Sequence, residues 1–190
     1  MKLLDLTRED FSSIWRIMEP SFPRDERRPR DEQLAIFDQP EYHAYGARDA
    51  DGTLIGFLTT WNLDDVVFVE HFAVNPACRN GGVGSAMLSA LIAQTNAPIC
   101  LEVELPETEM ARRRIAFYER NGLFYNEYPY VQPAMSKGQE AVPLRIMTSG
   151  GCVSKERFVA IRALLYERVY RVPVPECDWI DETNTRKEPK

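Results

Sequence analysis

Arg79-Asn80-Gly81-Gly82-Val83-Gly84-Ser85 lies between a strand pattern ending at Val74-Asn75-Pro76 and a helical run from Ser85 to Ala93. Successive backbone N–H groups in a glycine-rich turn, backed by the positive end of a helix, bind a pyrophosphate, and glycines let the backbone come close to it. The stretch is therefore expected to cradle phosphate. A P-loop would need Lys-Ser or Lys-Thr after the last glycine, whereas Ser85-Ala86 follows Gly84. A dinucleotide fingerprint read from Gly82 would need a small residue where Met87 stands. Both fail, leaving Arg79-x-x-Gly82-x-Gly84, for which a tight turn without a ligand is the plain alternative.

The flanks carry further information. Upstream stands Val66-Val67-Phe68-Val69-Glu70-His71-Phe72-Ala73-Val74, and downstream Arg113-Arg114-Ile115-Ala116-Phe117-Tyr118-Glu119-Arg120-Asn121-Gly122-Leu123. Taken in order, these resemble the central strand, the acyl-CoA pyrophosphate signature and the A-x-x-F-Y-E-x-x-G-F helix of the GNAT superfamily of acyl-CoA-dependent N-acetyltransferases. The layout runs from about Leu3 to Met147 and is sharp from Glu70 to Leu123. The resemblance implies acetyl-CoA as cosubstrate, and no metal is expected from the residues present. It places the pantetheine arm against the backbone of Phe72, Ala73 and Val74, and the pyrophosphate on Arg79, Asn80, Gly81, Gly82, Val83, Gly84 and Ser85.

A chain of 190 residues, 44% hydrophobic, can bury one good core and suggests one domain with an appendage. With 23 basic and 29 acidic residues, the net charge of −6 argues against a nucleic-acid partner needing a basic face. Cys78, Cys100, Cys152 and Cys177 are widely spaced and only two histidines are present, so neither a zinc site nor a disulfide framework is indicated. A reducing cytoplasmic location is expected. Met1-Lys2-Leu3-Leu4-Asp5 lacks the apolar core of a secretion signal, and charges interrupt every apolar run before membrane-spanning length. Neither export nor membrane association is expected.

The pattern along the chain predicts an α/β (α+β) fold: a mixed, mostly antiparallel central sheet flanked by helices, with an extra C-terminal helix. A short strand near Lys2 to Leu6 precedes a helix opened by Thr7, with Asp10 answering three residues on, and ending at about Glu19 before Pro20. A charged loop and a short helix through Leu34 to Phe37 follow. Strands from Tyr42 to Arg48 and from Leu54 to Trp61 flank the Asp51-Gly52 hairpin signal, and a third runs from Phe68 to Val74. Beyond the cradle helix, Ile99 to Val103 reads as a buried strand, and strand–helix–strand implies parallel pairing. Glu109 to Asn121 is the next helix, stopped by Gly122, and Tyr125 to Gln132 pairs with Leu144 to Thr148. Residues 1–150 form the acetyltransferase-like domain and 151–180 a helical extension, with Phe158, Ile161, Leu165 and Val169 on one stripe. That stripe packs on the core, walls the substrate or makes a dimer, so monomer and homodimer both stay open. Residues 181–190 are expected to be a disordered tail.

Acyl transfer to an amine needs a neutral nucleophile, a carbonyl held beside it and a proton for the departing thiolate. Alternation puts Phe68, Glu70, Phe72 and Val74 on one face and His71 and Ala73 on the other, so Glu70 and His71 share a substrate only if a bulge intervenes. Glu70 is the expected catalytic base, four residues before Val74, where related acetyltransferases often carry an acid; a structural carboxylate is its alternative. His71 is expected to be packed and hydrogen-bonded. Ala111, Ile115, Tyr118 and Gly122 fall on one helix face that lies against the sheet, and the resemblance makes Tyr118 the catalytic acid. Many family members have Asn where Ala111 stands, which throws more of the cosubstrate contact onto the cradle and onto Arg112 or Arg114, residues that otherwise make a solvated face. Cys78 is a nucleophile only if it faces the cosubstrate with a lowered pKa. Acceptor recognition is expected from Phe22, Arg27 and Tyr130, with Glu26 and Arg28 nearby, for a small-molecule or peptide amine. A catalytically silent CoA sensor or partner-binding module on the same fold is the competing function.

Overall fold

The computed structural model describes residues 1–176; the expected tail at 181–190 and Cys177 lie outside them. The chain runs β1 (Leu4–Leu6), α1 (Phe11–Ser21), α2 (Arg30–Ala35), β2 (Tyr42–Arg48), β3 (Leu54–Leu63), β4 (Val66–Val74), α3 (Val83–Gln94), β5 (Ile99–Glu104), α4 (Glu109–Arg120), β6 (Leu123–Tyr125), β7 (Tyr130–Gln132), β8 (Val142–Ser149) and α5 (Lys155–Leu164). A π-helical turn, Leu165–Tyr170, continues α5. The eight strands form one sheet in the order β1-β2-β3-β4-β5-β8-β6, with β7 also on β8. Strands β4 and β5 pair in parallel and the other pairs are antiparallel. This is the mixed, mostly antiparallel sheet that the sequence pattern predicts.

The polar punctuation works locally as expected. Thr7 accepts from the Glu9 N–H, and the Asp10 carboxylate accepts the Thr7 N–H at 2.9 Å, closing a capping box. Two expectations need correcting. Helix α1 passes through Pro20 to Ser21, because a proline in the last turn costs one N–H that the Phe22 N–H to Met18 bond, at 3.1 Å, makes up for in closing the helix. The expected strand from Tyr125 to Gln132 is instead two strands, β6 and β7, parted at buried Asn126. Its side-chain amide donates to the Ile146 carbonyl and Thr148 Oγ1, both at 3.0 Å, and its Oδ1 accepts the Val153 N–H at 2.9 Å. An asparagine that competes this well with the ladder breaks the strand while satisfying the backbone around the break.

A third correction, to the alternation along β4, fixes the cleft. In the β3–β4 ladder Thr60 faces Val69 and Thr59 faces His71, so Glu70 is an extra residue in β4. Before this bulge Val67 and Val69 face the cluster under α3 and α4, while Val66 and Phe68 face the opposite cluster. After it, Phe72 and Val74 join the first cluster and Ala73 the other side, with α1. Phe68 therefore does not share a face with Phe72 and Val74. The extension beyond residue 150 packs inward: Phe158, Ile161, Leu165 and Val169 are at most 3% exposed, among Trp61, Phe68 and Ile146.

The bulge also carries an ion pair. Arg28 Nη1 reaches Glu70 Oε1 at 2.6 Å with both side chains at most 6% exposed, and Arg28 Nη2 donates to the Val169 carbonyl at 3.2 Å. Arg28 thus ties together the loop after α1, the centre of β4 and the turn after α5. Removing one member of such a pair leaves the other charge buried and uncompensated, so Arg28→Met is expected to cost about 3–5 kcal/mol in urea unfolding. Burial pushes the Glu70 carboxyl up, but the Arg28 guanidinium and the adjacent His71 outweigh it and hold the group down at about 2. A depressed carboxyl contributes stability above its unfolded pKa, near 4.3, that is lost as pH falls toward 2. Wild-type protein is therefore expected to weaken across that window in acid titrations of stability, and Glu70→Gln to lose this component of the slope.

Candidate active site

Hydrogen bonding between β4 and β5 covers Val67–Ile99, Phe68–Cys100 and Val69–Leu101, and then the strands diverge. Glu70, Phe72, Ala73 and Val74 on one side and Glu102 to Glu104 on the other line the resulting cleft, a cavity of about 470 Å³. Past Val69 the β5-facing edge of β4 is free to pair with an extended ligand, as an added strand would. Phe72, Ala73 and Val74, the residues expected along the pantetheine arm, are on this edge.

The cradle closes one end of the cleft. Gly82, at φ +77°, precedes the first turn of α3, and Asn80 also has positive φ, +67°. No side chain caps this twelve-residue helix and no acidic residue sits in its first turn, so the leading N–H groups are available to an anion. A Cβ on Gly84 would lie 3.4 Å from the Phe117 ring and 3.6 Å from Val74, so the third glycine lets the helix start close on the strand. Arg79 Nε donates to the Val74 carbonyl at 3.0 Å, fastening the cradle to the end of β4. Arg79, Asn80, Gly82, Val83, Gly84 and Ser85 all line the cleft, and Gly81 lies within the turn they form. This donor set fits the pyrophosphate of a coenzyme A thioester.

Tyr118 reaches the cleft from α4, 8% exposed, on the face it shares with buried Ala111 and Ile115. Its hydroxyl has no hydrogen-bond partner among the described residues, and burial raises it to about 12, so it keeps its proton throughout the physiological range. Glu104 and Arg114 form a 2.6 Å pair on the rim, whereas Arg112 is turned to the Pro106 and Glu107 carbonyls and does not line the cleft. Cys78 lines the cleft beside the cradle.

On the opposite side, His71 is buried, edge-on to Phe22 at 4.8 Å, with Nε2 3.1 Å from the Glu26 carbonyl. Phe22 and Glu26 line the cleft; Arg27 does not, its guanidinium lying over Trp15 at 4.9 Å while Nε donates to the Phe22 carbonyl. Tyr130 is 2% exposed and gives its hydroxyl to Glu102 rather than lining the cleft. The Glu26 carboxyl is raised by burial and then by the charge of Glu104, and no hydrogen bond holds it among the described residues. Glu102, Glu104 and Gln132 are cleft residues that pattern reading passes over. Glu102 sits in an apolar strand run where a lone polar residue was the available signal, but Gln132 is brought in by a hairpin whose register the sequence does not specify.

The Acetyltransferase (GNAT) family matches residues 6–123 of this chain. A GNAT-family protein from Bacteroides thetaiotaomicron is 36% identical, superposing with a TM-score of 0.81 over 91% of this chain and 100% of its own. A spermidine N-acetyltransferase SpeG variant from Vibrio cholerae, 16% identical, gives a TM-score of 0.59 over 78% of this chain and 94% of its own. A ribosomal-protein alanine N-acetyltransferase from Escherichia coli, 18% identical, gives 0.59 over 82% and 96%. These last two likenesses are of fold alone. No curated protein shows significant sequence similarity. With a divergent β4–β5 pair, an uncapped glycine cradle and a matching family over more than half its length, this chain belongs to the GNAT acetyltransferase family.

Proposed function

We propose that the protein transfers the acetyl group of acetyl-CoA to a primary amine of a small molecule or peptide, by direct attack in a ternary complex. The observation that carries this reading is a single cleft lined at one end by the cradle, along its floor by the free edge of β4, and at its middle by an unbonded Tyr118 hydroxyl. Acetyl-CoA, when bound, supplies an activated acyl thioester. The chain's own residues do the rest: Gly81 to Ser85 hold the pyrophosphate, the β4 edge aligns the arm, and Tyr118 holds the proton for the leaving sulfur. Against an ordinary thiol near 8.5, a donor near 12 is uphill by about 5 kcal/mol, a gap narrowed because the same burial raises the thiol too. Glu70 we assign to the frame: with its charge satisfied by Arg28 and its pKa near 2, it is a weak proton acceptor.

The acceptor side is walled by Glu26, Glu70, Glu102 and Glu104, with Arg28 and Arg114 each answering one of them, so a cationic amine is favoured over an anionic one. Structural neighbours that acetylate spermidine or an alanine of a ribosomal protein motivate the panel: spermidine, simple alkylamines and a short peptide starting with alanine. Free thiols at Cys78, Cys100 and Cys152 accord with a reducing, cytoplasmic setting.

Acetyl-CoA turnover on that panel tests the reading, and binding without turnover of any amine would overturn it. Gly82→Val is expected to weaken acetyl-CoA binding at least about tenfold in calorimetry while the protein stays folded, because a β-branched side chain at positive φ distorts the cradle. Tyr118→Phe is expected to keep acetyl-CoA affinity and lower kcat by roughly 10²-fold or more. Undiminished kcat would make Tyr118 a packing residue.

A further inference from the structure

Glu102 stands on β5 where that strand leaves β4, partly buried and lining the cleft floor opposite Glu70. The Tyr130 hydroxyl donates to its Oε1, and the Tyr170 hydroxyl lies 2.9 and 2.7 Å from its two oxygens. No Lys, Arg or His forms an ion pair with it among the described residues, in contrast with Glu70 and Glu104. Neither tyrosine belongs to the stretch that matches the family, residues 6–123. Tyr130 comes from β7 and Tyr170 from the π-helical turn after α5. Buried Leu165 and Val169 seat that turn on the core, and the Val169 carbonyl is gripped by Arg28.

We propose that Glu102 takes the proton of the incoming ammonium group, and that Tyr130 and Tyr170 position its carboxylate, which makes the segment after α5 part of the active site. This rests on the acetyltransferase reading. The nitrogen gives up two protons as its bond to the acetyl carbon forms and the carbon–sulfur bond breaks. One passes to Glu102 and on to water; the other, through Tyr118, ends on the sulfur.

The surroundings suit this task. Burial raises the Glu102 carboxyl to about 7; the hydrogen bonds from Tyr130 and Tyr170 pull it down, and the charges of Glu70 and Glu26 push it up. The groups facing it are Tyr130 from β7, Tyr170 from the turn after α5, Glu70 from β4 and Glu26 from the loop after α1; Cys100 precedes it on β5 and Arg28 stands behind Glu70. A proton acceptor poised near the working pH serves better than one, such as Glu70, that is already deprotonated far below it.

The test joins a titration with kinetics, using spermidine or the alanine peptide, whichever the wild type acetylates. In the free protein, the ¹³C side-chain carboxyl resonance assigned by its loss in Glu102→Gln is expected to titrate near neutrality and to match the acidic limb of the kcat/KM profile. Glu102→Gln is expected to bind acetyl-CoA as the wild type does and to lose roughly 10²-fold in kcat at neutral pH. In place of the limb, its rate should climb toward the amine's own pKa. Tyr170→Phe removes a hydrogen bond that favours the charged carboxylate. It is expected to move both the resonance titration and the limb upward by roughly 0.5–1 pH unit. If Glu102→Gln fails to fold, the shift of the kinetic limb in Tyr170→Phe decides alone. An acidic limb unchanged in Glu102→Gln, or a limb and titration unmoved in Tyr170→Phe, overturns the assignment and leaves the acetyltransferase reading standing. A wild type that acetylates nothing overturns both.

Discussion

The divergence of β4 from β5 is the constraint on which the rest of the structure depends. Two parallel strands that pair over three residues and then part leave backbone groups without partners in the middle of a sheet, a costly arrangement unless something else satisfies them. The extra residue at Glu70 turns the end of β4 so that Phe72 and Val74 lean on α3 and α4, which holds the gap open on one face. On the other face, the Arg28 guanidinium pairs with the bulged Glu70 and bonds the Val169 carbonyl. The gap is thus built into the register rather than left by missing material, and an extended ligand is its natural complement.

Electrostatics within the cleft follow from which carboxylates receive a cation. Glu70 has Arg28 and stays charged far into acid; Glu104 has Arg114 and stands at the rim. Glu26 is left to burial and to the charge of Glu104, and Glu102 to burial that its two tyrosine partners only partly offset, so both are pushed upward. One wall therefore holds acids in two distinct states although their side chains are chemically identical. Environment makes the division, as it does wherever paired carboxylates take separate tasks.

The sequence is most legible where local rules decide structure. Gly82 and Gly84 announce the cradle because positive φ and close approach restrict the residue type. Thr7, Gly52 and Gly122 mark caps and turns for similar reasons, and the α4 face of Ala111, Ile115 and Tyr118 follows from helical period alone. What alternation could not supply is the bulge at Glu70, since an added residue in a strand leaves no compositional trace, and every assignment of faces beyond it inherits the error. Arg28 and Arg27 look alike in sequence, yet one is buried on Glu70 and the other lies over Trp15. Only the meeting of distant segments separates them. Glu102 was hidden for the same reason: its partners lie 28 and 68 residues away.

Those separations bear on how the molecule is assembled. The cradle, β4 and β5 are near neighbours in the chain, whereas Arg28 waits for a carbonyl 141 residues further on and Glu102 for a hydroxyl 68 residues further on. During synthesis at about 5–20 residues per second, a nascent chain spends on the order of 3–14 s with Glu102 already made and Tyr170 still to come. In that interval the apolar residues that α5 will cover, Trp61 and Phe68 and later Ile146, have no helix to shield them. The segments of the phosphate end are therefore all synthesised before the last segment of the acceptor end, Tyr170.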